Sequence, residues 1–300
     1  MNYEEIIPRP FFVVGDFYSL KVLVKRKYPY MALSFIVTSK LRKHLDMLRN
    51  FRLVLIDCGA FGIMSKKKVD SFLSRKYMYE YMSFILWLKN VKNMNNFLFV
   101  SMDLPCEPTV QGPPVEERIK ITVENAAKFM EFAEKHDLKK NLVTVIQGYK
   151  LHHYHTCLDM LKERGLLTDI VGIGSLCIRN NPDDVRKIVW SLWKRLGGHK
   201  IHTFGISVKE LDAIKKFIYS FDSHAWARGP TGHGTVYLLS KDGGLMTVKA
   251  RELGLDPGKD MEKMMEVCFD SYIRRILKIL RRRENPLDVF LRKTEKIITI

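Results

Sequence analysis

Two aspartates, Asp57 and Asp222, each stand at the end of a short apolar run, in VLIDCGAFG (54–62) and in SFDSHAWARGP (220–230). One aspartate in such a position is ordinarily a turn residue or the N-cap of the next helix. Two carboxylates in one site, however, supply what glycosyl transfer with retention requires: a nucleophile for the anomeric carbon, and a second group that acts first as an acid and then as a base. That chemistry needs a fold that brings distant strand ends together.

Short β-branched or aromatic runs alternate with helical segments along the chain, which predicts repeated βα units and a parallel sheet. The predicted strands lie at 11–16, 31–38, 52–59, 96–103, 142–148, 170–176, 200–207 and 220–226. The predicted helices between them lie at 40–50, 66–92, 114–136, 151–164, 182–196 and 208–219. Eight strands with intervening helices favour a (β/α)8 TIM barrel, an α/β fold, over an open doubly wound sheet.

The chain beyond the eighth strand predicts a small hairpin followed by a basic helix. Asp242-Gly243 separates two apolar runs, as a hairpin turn does. The helix is predicted at 261–283, and its second half, SYIRRILKILRRR, is basic on one face and apolar on the other. It closes the barrel with a solvated face, contacts phosphates, or does both. We expect one TIM-barrel domain over residues 1–300, with 235–300 as a C-terminal hairpin and helical extension.

A TIM barrel collects its reacting groups at the carboxyl ends of its strands. The groups predicted there are Asp57, Asp103, Gln147, Gly148, Gly174, Ser175, Gly205 and Asp222. Glycines at strand ends let a planar ligand approach the backbone, although glycines also simply make turns. A carboxylate accepts hydrogen bonds and an amide both donates and accepts, which suits the edge of a purine such as guanine. The strand ends therefore indicate chemistry on a base and a sugar.

The composition indicates a polyanionic partner. Lys and Arg number 50 against 33 Asp and Glu, a net charge of +17, and 46% of the residues are hydrophobic, enough for a sizeable core. The five cysteines are scattered and the histidines of LHHYHT (151–156) more often mark the polar start of a helix, so we expect no metal and no cofactor. No apolar stretch approaches a membrane span and MNYEEIIPRP is not a signal peptide, so we expect a cytoplasmic protein without membrane contact. The oligomeric state stays open.

Six motifs together resemble the tRNA-guanine transglycosylase superfamily, in the right order and spacing from about residue 52 to 230. DCGAFG resembles that family's DSGGFQ, SMDLPCEP its strand-end aspartate segment, TVIQG its IVQGG, VGIGSL its AIGGL, IHTFGIS its RYLMGVG and FDSHAW its FDCV segment. The resemblance implies a TIM barrel that exchanges guanine in a nucleic acid for a 7-deazaguanine base such as preQ0 or preQ1.

The resemblance also implies a role for each matching residue. Asp222 corresponds to the nucleophile that bonds to the sugar, and Asp57 to the general acid and base that serves the leaving and incoming bases. Asp103 and Gln147, with Gly148, Gly174, Ser175 and Gly205, correspond to the groups that hold the base edge. Phe61, Phe204 and Trp226 are further candidates for aromatic walls, although a buried aromatic more often belongs to the core.

Several departures favour the DNA-acting branch of the superfamily over the tRNA enzymes. Gly62 replaces the family's glutamine, and Cys58 and Ala60 replace its serine and glycine, so part of the base pocket differs. Neither the C-terminal zinc site of three cysteines and a histidine nor an RNA-binding PUA domain is expected here. We therefore predict a transglycosylase acting on DNA, with a tRNA enzyme, a non-catalytic nucleic-acid-binding barrel and an enzyme of small anionic metabolites as alternatives.

An enzyme that flips a base from a duplex needs basic surface around its pocket. We expect Arg228 to reach a phosphate. The predicted C-terminal helix contributes five further candidates to that surface: Arg274, Arg275, Lys278, Arg281 and Arg282.

Overall fold

Eight parallel strands close into a barrel in the computed structural model, which describes residues 3–64, 69–177, 179 and 181–282. The strands are β1 (Arg9–Val14), β2 (Tyr30–Ser34), β3 (Leu53–Asp57), β4 (Phe97–Val100), β5 (Leu142–Ile146), β6 (Ile170–Ile173), β7 (Lys200–Thr203) and β8 (Ser220–Ser223). They follow chain order around the barrel, and β8 pairs with β1 in the register Phe11 to Asp222. The predicted TIM barrel is confirmed.

Helices alternate with the strands on the outside of the barrel. They are α1 (Phe17–Lys25), α2 (Ala60–Met64), α3 (Val69–Leu73), α4 (Arg75–Leu86), α5 (Val115–Lys135), α6 (Leu151–Glu163), α7 (Pro182–Leu196), α8 (Val208–Ile214), α9 (Ala225–Arg228) and α10 (Met261–Arg281). Local signals explain their ends. The Asn181 side chain accepts the Asp183 N–H at the start of α7, and Gly197 ends that helix in the left-handed conformation.

The observed elements differ from the predicted ones where local hydrogen bonds compete with the periodic pattern. The strands end sooner than predicted, because the residues that follow them enter the site loops. Residues Arg42–Asn50 form a 3-10 helix, and α8 stops at Ile214, five residues early. The helix predicted at 66–92 begins outside the described residues, and Ser74 caps a new helix, α4, by accepting the Tyr77 N–H.

Helix α1 was not predicted, although its capping signal stands in the sequence. The Asp16 side chain accepts the Ser19 N–H, and the Ser19 hydroxyl accepts the Asp16 N–H, which is a capping box. The prediction placed Asp16 in the first strand instead, since the apolar run FFVV leads directly into it. Strand β1 in fact ends two residues earlier, at Val14.

The C-terminal hairpin and helix are present as predicted. Strands β9 (Thr235–Leu239) and β10 (Leu245–Lys249) form an antiparallel pair. Helix α10 buries Phe269, Tyr272 and Ile276 in the barrel's core cluster and packs against both α1 and α8, so it completes the outer ring of helices. In the described part of the chain, no helix is long and apolar enough to cross a membrane.

Ion pairs fix the direction of α10. Lys21 of α1 contacts Glu262, and Arg26, just after α1, contacts Asp270. Because α1 runs from the carboxyl end of β1 back to the amino end of the barrel, α10 runs the same way. At its far end, Lys215 Nζ donates to the Ile279 carbonyl oxygen at 2.7 Å. The basic second half of α10 therefore lies at the amino end of the barrel.

Candidate active site

Three aspartates, two at the ends of strands and one in the loop after a third strand, lie at the carboxyl end of the barrel. Asp57 is the last residue of β3, Asp222 is the third residue of β8, and Asp103 follows β4 by three positions. Burial, together with the negative charges of Asp103 and Asp222, raises the pKa of Asp57 from 3.8 to about 7. The Gly59 N–H, which donates to Asp57 Oδ2 at 2.9 Å, opposes that rise. The three carboxylates thus share one electrostatic environment.

Asp222 is held by one backbone hydrogen bond. The Gly205 N–H donates to Asp222 Oδ1 at 2.6 Å, and the aspartate side chain is 11% exposed. Gly205 adopts the left-handed conformation with φ of +65°, and a Cβ there would lie 2.6 Å from Cys177 Cβ. The glycine is therefore required both by its backbone conformation and by its neighbour. Its N–H fixes one carboxylate oxygen of Asp222.

His202 borders Asp222 and was not predicted from the sequence. Its Nε2 atom lies 3.5 Å from Asp222 Oδ2, and its Nδ1 atom lies 2.8 Å from Ser220 Oγ. Nε2 is buried and has no hydrogen-bond partner among the described residues. If the Ser220 hydroxyl donates to Nδ1, the ring hydrogen sits on Nε2, the nitrogen that lies 3.5 Å from Asp222 Oδ2. His202 can therefore orient this carboxylate.

We expect His202→Phe to lower the turnover number of the activity proposed below by roughly 10- to 100-fold, because Asp222 loses a positioning neighbour. The KM for the base should stay unchanged. Phenylalanine keeps the ring contacts with Phe11 and Phe204, but it removes the hydrogen bond to Ser220, so the protein should stay folded with a stability lower by about 1–3 kcal/mol. His136→Phe, at the end of α5 on the other side of the barrel, is the matched control. Equal turnover in the two variants would show that His202 only fills space.

Asp103, Gln147 and Ser175 form a buried hydrogen-bonded chain. Gln147 Nε2 donates to Asp103 Oδ2, and Gln147 Oε1 lies 2.7 Å from Ser175 Oγ. The Cys58 thiol lies 3.4 Å from Asp103 Oδ1. Burial raises the pKa of Asp103 to about 6, although the hydrogen bonds from Gln147 and Cys58 oppose the rise. Since both ends of Gln147 are engaged, it holds Asp103 in place rather than presenting a free amide.

Close packing also explains why two of the predicted site residues are glycines. A Cβ on Gly174 would lie 2.2 Å from Gln147 Nε2, and one on Gly148 would lie 2.7 Å from the Tyr154 backbone nitrogen. Protein atoms fill the space beside both glycines. Close packing of Gln147 and Tyr154 therefore requires glycine at both positions, and the expectation that these glycines open the backbone to a ligand stays a prediction.

The three aromatic candidates fall in different places. Phe61 is 43% exposed on α2, and Phe204 is partly buried, with its ring centroid 4.7 Å from that of His202. Trp226 is fully buried and donates to the Val13 carbonyl oxygen at 3.2 Å, with its ring against Phe12 and Phe269. The prediction that Trp226 is a pocket wall is wrong, because α10 covers it.

The predicted nucleic-acid-binding residues are not brought together. Arg228 is exposed at the end of α9, which follows β8 on the carboxyl side. The basic residues of α10 lie at the amino end instead, contrary to the expectation that they surround the pocket. There Arg275 and Lys278 donate to carbonyl oxygens of the β9–β10 turn. The basic residues in question are Arg274, Arg275, Lys278 and Arg281 of α10 and Arg282 directly after it; Arg283 lies outside the described residues.

Other cations follow the strand ends and were missed in the sequence. Lys150 comes just after β5 and Lys209 is in the first turn of α8, and both are exposed. Arg179, after β6, donates to the Ser175 and Tyr149 carbonyl oxygens and so ties two loops together. Their position directly after predicted strands was the available signal. As for metals, no cluster of three or more His, Cys, Asp or Glu side chains is arranged as a binding site in the ranges that the structure describes.

Comparison with known proteins bears on this site. Residues 96–232 match the family model DpdA, DeoxyPurine in DNA protein A. The DpdA match confirms the resemblance to the DNA-acting branch of the transglycosylases. The segment matched to DpdA contains Asp103, Gln147, Ser175 and Asp222, and Asp57 precedes it. No curated protein matches the chain in sequence.

Solved structures match the chain with little sequence identity. A protein described as a fructose-1,6-biphosphate aldolase, from Coccidioides immitis, is 7% identical with a TM-score of 0.50, over 90% of this chain and 88% of that one. The Amycolatopsis orientalis BexX/CysO complex is 11% identical with a TM-score of 0.43, over 92% of this chain and 93% of that one. The carboxyl transferase domain of Rhizobium etli pyruvate carboxylase is 11% identical with a TM-score of 0.43, over 95% of this chain and 50% of that one. The first likeness extends to the fold alone, so the DpdA match is the one that bears on function.

Proposed function

We propose that the protein replaces guanine in DNA with a 7-deazaguanine such as preQ0, through a covalent bond between Asp222 and the sugar. The barrel and the DpdA match fit a DNA-modifying transglycosylase. The observation that carries the finer proposal is the group of interacting carboxylates from β3, the loop after β4, and β8. It provides the nucleophile, the proton carrier and the base-binding group that this reaction needs.

In the first half of the reaction, Asp222 attacks C1′ of the target nucleotide and the bond from C1′ to the guanine nitrogen breaks. The bonding electrons leave with guanine, which takes a proton from neutral Asp57. A pKa of about 7 suits this role, because the group is then both a competent acid and a competent base near neutrality. Gly205 and His202 hold the attacking carboxylate.

In the second half, the ionised Asp57 removes the ring N–H proton of the incoming 7-deazaguanine. The freed nitrogen attacks C1′, the bond to Asp222 breaks, and its electrons return to the carboxylate. Two inversions restore the original configuration. Asp103 accepts hydrogen bonds from the base while Gln147 holds it. Lys150, Lys209 and Arg228 supply positive charge on the carboxyl side for a strand whose target base is flipped out.

Incorporation of a labelled base tests this proposal. Purified protein is mixed with labelled preQ0 and either duplex DNA or tRNA, with Asp222→Ala as the blank. We expect label in DNA, none in tRNA and none with the variant. Label in tRNA alone would favour the tRNA alternative, and DNA binding without label or adduct would favour a non-catalytic barrel. We expect a cytoplasmic location. The organisation as one domain with an extension at 235–300 also stays a prediction, and residues 283–300 of that extension lie outside the described part of the chain.

A further inference from the structure

The hydroxyl of Ser175 has one hydrogen atom but three polar neighbours in hydrogen-bonding range. The Cys106 N–H donates to Ser175 Oγ at 2.7 Å. Gln147 Oε1 lies 2.7 Å away and Glu107 Oε2 lies 2.8 Å away. The hydroxyl can donate to only one of these two oxygens. The second contact is a hydrogen bond only if the residue on that side, Glu107 or Gln147, donates a hydrogen to Ser175 Oγ.

In a first arrangement, Ser175 donates to Gln147 Oε1. Glu107 must then carry a proton and donate it to Ser175 Oγ, which accepts from Glu107 and from the Cys106 N–H through its two lone pairs. Gln147 Nε2 donates to Asp103, which is an ionised carboxylate. Every contact in the chain is satisfied, and the extra proton sits on Glu107.

In a second arrangement, Ser175 donates to an ionised Glu107. The Gln147 amide is turned by half a rotation, so that its Nε2 donates to Ser175 and its Oε1 contacts Asp103. Amide nitrogen and oxygen are assigned from such partners, so both orientations fit the same heavy atoms. Asp103 must now carry the proton and donate it to Gln147. The chain again holds one extra proton, at its other end.

We propose that Glu107 is a positioning residue that takes the proton from Asp103 when a guanine-type base binds, and returns it when the base leaves. Gln147 and Ser175 are the link. The inference rests on the proposed function, since a base with N–H donors requires Asp103 as an ionised acceptor. It adds a role for Glu107, which lies in the SMDLPCEP segment, and it explains how a buried Asp103 gains charge without exchanging a proton with water.

The surroundings favour proton transfer within the pair. Glu107 is 1% exposed, and its two carboxylate oxygens lie 2.8 Å from Ser175 Oγ and 3.4 Å from the Cys177 thiol. Both contacts are with uncharged groups, so a full charge buried there is costly. Ser175 has φ of +54°, rare for a residue with a side chain, and the Tyr154 hydroxyl lies 3.1 Å from its carbonyl oxygen. The fold thus holds the Ser175 hydroxyl between the two acids.

The other titratable groups around the pair fall into three classes. Burial raises the pKa of the nearby thiols and phenol, so they stay neutral at neutral pH; they are Cys58, Cys106, Cys157, Cys177 and Tyr154. Two guanidinium groups, those of Arg118 and Arg179, donate to carbonyl oxygens. Two carboxyl groups remain, Asp57 and Asp222. Because Asp57 titrates near neutrality, the test removes it.

The test counts the protons exchanged when the free base binds. Isothermal calorimetry of guanine and of preQ0 is run at pH 5.5 in two buffers of different ionisation enthalpy, on full-length Asp57→Asn protein. Further variants in that background are Glu107→Gln, which cannot accept the proton, and Ser175→Ala, which breaks the link. Glu163→Gln, an exposed acid at the end of α6, is the matched control.

Relative to the parent and to the control, Glu107→Gln and Ser175→Ala should each release up to about one additional proton. Their Kd should weaken about tenfold per pH unit below the pKa of Asp103, while that of the parent stays flat. Proton counts and pH profiles equal to the parent's in both folded variants would overturn the inference. Failure of the wild-type protein to bind either base would reject the proposed function itself, and the inference with it.

Discussion

Asp222→Asn is expected to lower base exchange by a factor on the order of 10⁴ or more, because the amide cannot form the glycosyl bond. Wild-type protein mixed with DNA in the absence of an incoming base should give a covalent complex that survives denaturing electrophoresis. The variant should give none. Asparagine keeps an oxygen for the Gly205 N–H, so the fold and the DNA affinity should be retained. The measurements are label incorporation, adduct yield and DNA binding on the same preparations.

Asp169→Asn is the matched control for this variant. Asp169 precedes β6 at the amino end of the barrel, where its exposed carboxylate pairs with Lys200 at 2.9 Å. Loss of this surface ion pair should cost under about 1 kcal/mol and leave exchange intact. Asp222→Asn protein that retained a tenth of wild-type exchange would assign the nucleophile to another residue.

The order of the strands and helices and the positions of the site aspartates could be predicted, because both depend on residues that are close together in the sequence. Each strand is a short apolar run, and parallel strands in a barrel present their carboxyl ends at one face. Asp57, Asp103 and Asp222 follow from that rule alone. The predicted helix 182–196 likewise matches α7, because helix ends depend on neighbouring residues such as Pro182 and Gly197.

The remaining features depend on contacts between distant residues. The direction of α10 is set by ion pairs such as Lys21 with Glu262, across more than two hundred positions. The sequence shows the charges but not which end of the barrel they reach. The basic half of α10 was therefore expected near the pocket, whereas Lys150 and Lys209, which do follow strand ends, were missed.

Buried polar residues near the aspartates were missed for a related reason. His202 stands within a strand and Glu107 in a loop, and each has the appearance of an ordinary core or turn residue in the sequence. Their importance comes from what the barrel places beside them: Asp222 for His202, and Ser175 for Glu107. At Gly174, similarly, the sequence does not show that the Gln147 side chain packs against the glycine and leaves no room for a Cβ.

Asp57→Asn should lower exchange by about 10²- to 10⁴-fold, because the leaving base loses its proton donor and the incoming base its acceptor. In the wild type, adduct formation should fall above about pH 7, where Asp57 loses its proton. The residual rate of the variant should lack that decline. Single-turnover adduct formation from pH 5 to 9 measures both, with Asp169→Asn as the control. An identical alkaline decline in Asp57→Asn would assign it to another group.

The same variant should be more stable than wild type at alkaline pH. Asp57 has a pKa of about 7 in the folded protein and an ordinary value of 3.8, so between these values the unfolded chain binds fewer protons than the fold. Stability must then decrease as pH rises from about 4 to 7, and the loss is complete above pH 7. Asparagine does not ionise, so the variant lacks this loss of stability. The melting temperature of Asp57→Asn should therefore exceed that of wild type by a few degrees at pH 8 and by less at pH 5. If Asp57→Asn protein is more stable than wild type and no longer catalyses the exchange, the carboxylate of Asp57 serves the reaction and not the folding of the protein.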